Sequence, residues 1–312
     1  MASKTLYKRL WLHLLLFVLT LLTTTVAGAL QNGVDLLTHP WQIASGLPFA
    51  ITLMTILLVH EMGHYLMSRH HGVRASLPFF LPAPPFPFII GTFGAFIRME
   101  SPPPDRRSLF DVGAAGPLAG LALAIPAVII GLHLSTVSPE QGSGGISLGS
   151  SLLLTFLSQI TLGLRPDEAN IVLHPIGFAG WVGLLVTMMN LLPVGQLDGG
   201  HVVYALFGQR HLWISRLAVV AILSLGLLRL WDGWLIWGLL LLFMGAHHPP
   251  PLDPHTPLDL KRQMVAWLTL ATLALTFIPV PFSVQEPVAR DQPLHPPEAP
   301  PHPGARTNGG PP

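Results

Sequence analysis

Residues 47–64 read LPFAITLMTILLVHEMGH, an apolar run that closes on His60-Glu61-Met62-Gly63-His64. Two histidines four apart lie one above the other on a helix face. The glutamate between them points beside that pair, where a water held by a metal would sit. The HExxH spacing therefore reads as a zinc site with its own general base. Its setting decides the fold: Ala50 to Val59 carries no charge, which places the pattern inside a membrane helix.

Composition agrees. Half of the 312 residues are hydrophobic and 10% are charged, against about 25% charged in an ordinary soluble domain. Several apolar runs reach the ~20 residues needed to cross a bilayer. The chain is expected to be an all-α polytopic membrane protein of about six to seven transmembrane helices. A net charge of +1 says little about partners, and no basic block points to nucleic acid. Without cysteine there is no disulfide, thiolate ligand or cysteine nucleophile, so any metal is held by nitrogen and oxygen.

Working outward, Lys4, Lys8 and Arg9 precede an uncharged run from Leu10 to Leu30. Its basic start and Ala27-Gly28-Ala29 end resemble a signal peptide, but its length favours an uncleaved first span with the basic end inside. The second span, 47–66, then runs inward, and Arg69, His70, His71 and Arg74 follow it. Five prolines between 78 and 87 break the next apolar stretch, and Phe88 to Ile97 reads as a strand. Residues 76–97 are expected to form a re-entrant, hairpin-like segment covered by protein. A third span, 112–134, has Asp111 as its N-cap and carries Gly116-Pro-Leu-Ala-Gly120, a GxxxG pattern read as helix packing. Residues 135–170 read as an external loop. Further spans fall at 174–193, 215–230, 233–246 and 264–282. Nine of the last thirty residues are proline, so 283–312 reads as a disordered tail.

The span count bears on chemistry. The second and fourth spans both run inward, and the fourth leads into Asn190-Leu-Leu-Pro-Val-Gly-Gln-Leu-Asp198-Gly-Gly-His201. His60, His64 and Asp198 thus reach one depth at the cytoplasmic end. Each ionisable residue at membrane depth costs at least ~2.5–3.5 kcal/mol and usually faces a functional interior. Two imidazoles and one carboxylate leave a fourth zinc position open. His201 is expected to play a supporting role. His70-His71 and His247-His248 are expected at the membrane surface, without metal.

HEMGH on a membrane helix, followed by N-x-x-P-x-x-x-L-D-G-G, resembles the site-2 protease family of intramembrane zinc metalloproteases. GTFGAFIRMESPPPDRRSLFDVGAAGPLAG and HPIGFAGWVGLLVTMMNLLPVGQLDGGH resemble its compact bacterial and plastid-type members, and the likeness covers roughly residues 47–245. It implies one Zn2+ per chain on His60, His64 and Asp198, with Glu61 as catalytic base and Asn190 assisting the oxyanion or substrate. It implies cleavage in or near transmembrane segments of single-span membrane proteins, at the cytoplasmic side of a bacterial inner membrane or in a plastid membrane. The 76–97 segment would pair with unwound substrate. No PDZ or CBS domain is expected. The expected division is an N-terminal span and loop at 1–46, a catalytic core at 47–246, a connecting loop and last span at 247–282, and the tail. The rival readings are a zinc-binding membrane chaperone or transporter, and a histidine-box oxidase, which would need several histidine clusters around two metals.

Overall fold

The structure, a computed structural model, describes residues 2–85, 89–138, 145–166 and 170–285. Helix α1 (Ala2–Gln31) is followed by a 3-10 turn (Pro40–Gly46), α2 (Leu47–His70), and strands β1 (Phe79–Pro82) and β2 (Thr92–Phe96). Then come α3 (Arg106–His133), β3 (Thr136–Ser138), β4 (Gly145–Leu148), α4 (Leu152–Leu162) and β5 (Asn170–Val172). The remainder is α5 (Pro175–Asn190), α6 (Asp198–Phe207), α7 (His211–Leu227), α8 (Gly233–Met244), α9 (Leu260–Thr276) and β6 (Phe282–Gln285).

Local chemistry sets several boundaries. Pro48 sits in the first turn of α2, where its missing N–H costs nothing. Gly72, at φ 69°, follows the end of that helix, the left-handed stop that glycine favours. The start of α3 differs from the sequence expectation. Its N-cap is Asp105, which accepts from Ser108 N while the Ser108 hydroxyl answers the Asp105 N–H, a reciprocal cap. Asp111 lies one turn inside the helix and is held by Arg262 and by His71 Nε2 at 2.9 Å. A cap is a local property, but an acid near the start of a helix can equally serve a distant partner.

Helices α2, α3 and α5 form the centre. Eleven of the 16 residues of α5 are buried, including Trp181, Leu184 and Met188. Trp181 sends its ring N–H to Gly149 O at 2.8 Å, satisfying the one polar atom it brings inside. Lipid is as apolar as leucine, so close packing rather than water exclusion brings such helices together. Gly131 of α3 accordingly meets Gly177 of α5, and Gly180 approaches Val128 N.

Among the described residues four stretches are long and apolar enough to cross a membrane: Leu10–Gln31, Pro40–His70, Arg106–His133 and Asp198–Leu227. That is fewer than the six to seven expected. Helix α5 covers about 24 Å at ~1.5 Å per residue, short of a ~30 Å hydrocarbon core, and neighbouring helices enclose it. The expected span at 215–230 is the second half of a longer unit that begins at Asp198. Leu217, Ile236, Phe243 and Leu268 remain exposed, an apolar surface of the kind a bilayer covers.

The segment at 76–97 contains an antiparallel hairpin in which Phe80 opposes Ala95. Its second strand begins at Thr92, later than the expected Phe88, and residues 86–88 lie outside the described residues. The expected loop at 135–170 carries α4, while β3 pairs with β5 and β4 with β6. Ser283 and Val284, read as tail, belong to β6; the tail from 286 lies outside the described residues.

Candidate metal centre and active site

The last turns of α2 bring His60, Glu61 and His64 into the interior, each at most 6% exposed. Asp198 is the first residue of α6. Gly199, next to it, lets α6 press against the Leu191 carbonyl where any side chain would collide. That close approach places the Asp198 carboxylate opposite α2. His60 Nε2 and His64 Nε2 are 3.2 Å apart, and Asp198 Oδ2 is 3.3 Å from each.

These distances test the fit of a metal. A tetrahedral zinc with bonds of 2.0–2.1 Å separates its ligands by about 3.3–3.4 Å, and the three atoms match that spacing. His64 Nδ1 donates to Val112 O at 2.7 Å, because a carbonyl can only accept. The neutral ring therefore presents the lone pair of Nε2 to the cluster, the arrangement a metal-bound histidine takes. Two imidazole lone pairs and a carboxylate aimed at one point repel unless a cation sits between them. Among the described residues this is the one group of three such donors placed to hold a metal.

Glu61 is outside that trio and beside it, and its carboxylate faces the backbone N–H of Ile97, just past the end of β2. The Asn190 amide closes the other side, with Nδ2 3.3 Å from His60 Nε2. All five residues read from the sequence thus meet at one place.

Sequence reasoning missed what supports them. Gly116 and Gly120 were read as packing residues, yet they lie under the imidazoles. A Cβ on Gly116 would fall within the His64 ring, and one on Gly120 would stand 3.0 Å from His60 Nδ1. A signal was available: the glycines and the histidines share the same spacing of four, so packed helices bring them into register.

His201 takes the supporting role expected of it, whereas its partner His248 departs from expectation. His248 is buried rather than at the surface. Its Nδ1 donates to Pro249 O at 2.6 Å, leaving Nε2 to accept from His201 Nδ1, also at 2.6 Å. Burial, with the His201 and His211 rings beside it, pushes His248 down to about 3, so it is neutral and these tautomers hold. His201 thus has its Nδ1 partner in the 247–258 loop. His71 pairs with Asp111, whereas His70 and His247 are exposed as expected.

Comparison with known proteins agrees with this geometry. The chain is 37% identical over 247 residues to "Probable zinc metalloprotease EGY1, chloroplastic" of Oryza sativa subsp. japonica, covering 76% of this chain and 41% of that protein. It is 36% identical to the Arabidopsis thaliana protein of the same name, covering 76% and 44%. It is 33% identical to "Probable zinc metalloprotease EGY2, chloroplastic" of Arabidopsis thaliana, covering 77% and 43%. The chain thus spans less than half the length of these relatives. No solved structure matches. The profile of peptidase family M50 matches residues 48–228, a stretch that holds both histidines, Glu61, Asn190 and Asp198, and the chain belongs to that family, the site-2 proteases.

Proposed function

We propose that this protein is a zinc-dependent intramembrane endopeptidase that cuts single-span membrane proteins in or near their transmembrane segments. The observation that carries the reading is the trio of two buried histidines, His60 and His64, and the partly buried Asp198 at tetrahedral-edge distances, with Glu61 beside it and not within it. One Zn2+ per chain, held by these three residues, supplies Lewis acidity that polarises the scissile carbonyl and acidifies a water. Glu61 takes the proton as the water oxygen attacks the carbonyl carbon, then passes it to the amine nitrogen as the C–N bond breaks. The Asn190 amide is placed to donate to the oxygen that gains charge. Among the described residues one cluster of metal-type donors is present, and that supports this over a histidine-box oxidase, which needs donors around two metals.

In this reading α1, α2, α3, α5, the α6–α7 unit, α8 and α9 lie in the bilayer, with the site at its cytoplasmic or stromal side. Residues 47–246 form the catalytic core. The plastid location named for the relatives, or a bacterial inner membrane, suits the same architecture. Removing the metal tests the reading. Wild-type protein treated with a strong chelator is expected to lose cleavage of a single-span test protein and to regain it on addition of zinc. Undiminished cleavage by metal-free protein excludes this function.

A substrate helix hides its carbonyls in its own hydrogen bonds, so it must unwind before cleavage. The β2 strand runs up to Ile97, whose N–H reaches Glu61, and is suited to hold the unwound segment by strand addition. Thr92 donates to Leu81 O at 2.8 Å and accepts from Gly94 N at 3.0 Å, and proline there removes the hydroxyl and an N–H together. Thr92→Pro is expected to abolish cleavage while zinc content stays normal. Cleavage at the wild-type rate rules out the strand's role.

A further inference from the structure

An isolated two-stranded hairpin is marginal at best, so something must hold β1 and β2 in place. Helix α1 runs along β1, while β2 meets α2. Three side chains of α1 bond to backbone carbonyls of the hairpin. His13 Nδ1 donates to Pro78 O at 3.0 Å, Thr23 Oγ1 to Gly91 O at 2.7 Å, and Gln31 Nε2 to Ile89 O. Between them, the His13 ring lies 4.1 Å from that of Phe79, and Phe17 meets Phe80 edge-on at 5.1 Å. From His13 to Gln31 is about 27 Å of helix at ~1.5 Å per residue, close to the whole ~30 Å apolar depth.

Thr23 is the central tie. Its hydroxyl has one proton and three carbonyls within reach: Leu19 and Thr20 at 3.1 Å and Gly91 at 2.7 Å. Carbonyls in the body of a helix already accept from the helix backbone, so the shortest contact, to Gly91, takes the proton. Gly91 O also accepts from Ala83 N at 3.1 Å, which makes it the point where hairpin and helix are joined. Only glycine suits the position: its φ is +75°, and a Cβ would stand 2.5 Å from Thr23 O. The far end of the hairpin brings the Ile97 N–H to face Glu61, and β2 packs against α2, the helix that carries Glu61.

We infer that α1 is a working part of the site, with Thr23, His13 and Gln31 as positioning residues that set the depth and register of the hairpin relative to Glu61. This rests on the reading of β2 as the surface that holds substrate. Thr23→Val keeps the side-chain shape and removes the donor; Thr23→Ser keeps the donor. Both are to be assayed as full-length protein in proteoliposomes with a single-span test protein, alongside amide hydrogen exchange over residues 79–96. Thr23→Val is expected to speed exchange in the hairpin and raise KM about three- to tenfold, the loss of one hydrogen bond. Its kcat should stay within about twofold and its zinc content should not change. Thr23→Ser should match wild type in every readout. Gln31→Met, at an exposed position that folding does not depend on, should give a smaller change of the same sign. Unaltered exchange in Thr23→Val and Gln31→Met overturns the inference. Faster exchange with unchanged KM leaves the tie standing and overturns the role of β2 in binding.

Discussion

Glu61→Gln is expected to abolish cleavage of a single-span test protein while the protein still carries one zinc. The change is nearly isosteric, and the amide oxygen can still face the Ile97 N–H. None of the three atoms at the metal position belongs to Glu61, so the metal site keeps its donors. What disappears is the group that takes the proton from the attacking water, a contribution of about 10²–10⁴-fold in rate. Elemental analysis and cleavage measured on the same preparation give both halves of the result. A variant that cleaves as fast as wild type disproves the assigned mechanism, and one that loses zinc shows Glu61 to be part of the metal site. An inactive, zinc-loaded variant also retains bound substrate, and the single-span proteins that copurify with it would identify the substrate.

Gly116→Ala is expected to empty the same site without touching any donor. The added methyl would occupy the space of the His64 ring. The ring cannot swing away freely, because its Nδ1 is bonded to Val112 O on the same helix as Gly116. Nor can the helices slide apart locally, since Gly63 of α2 already packs on the Ala115 backbone. Overpacking of this kind costs about 1–3 kcal/mol, and here the strain falls on a ligand orientation. Zinc content should drop from about one per chain towards zero, with cleavage lost alongside it. Gly120→Ala, whose Cβ would sit 3.0 Å from His60 Nδ1, should show a partial loss. Thermal unfolding of both variants separates a displaced imidazole from general misfolding. Full zinc occupancy in Gly116→Ala contradicts the placement of His64 against α3.

How much of this was legible in the sequence follows from how far each signal travels along the chain. HEMGH is readable because the ligand spacing and the helix repeat are both local. Asp198 is readable because span direction propagates: two helices pointing the same way bring their ends to one depth. The span number is less legible, since α5 is apolar and enclosed by protein, and hydropathy alone does not separate that from lipid contact. Asp111 looked like a cap because caps and first-turn charges share the same residue types, and only the location of Arg262 and His71 distinguishes them. His248 looked exposed because prolines and a neighbouring histidine suggest a surface loop, and nothing in that loop indicates that it folds back on His201.

By itself, then, the sequence determined the class of the protein, the helix that carries the HExxH motif and the five residues that meet beside it, because spacing and hydropathy act over a few turns. Only the tertiary structure decided what surrounds His60-Glu61-Met62-Gly63-His64: two glycines beneath its rings, the Val112 carbonyl that sets a tautomer, and the Ile97 N–H on Glu61. It alone showed α1 tied to the hairpin. Each of these joins residues tens of positions apart through a single hydrogen bond or the absence of one methyl group. Such contacts exist only once the helices have packed, and they leave no periodicity behind in the chain.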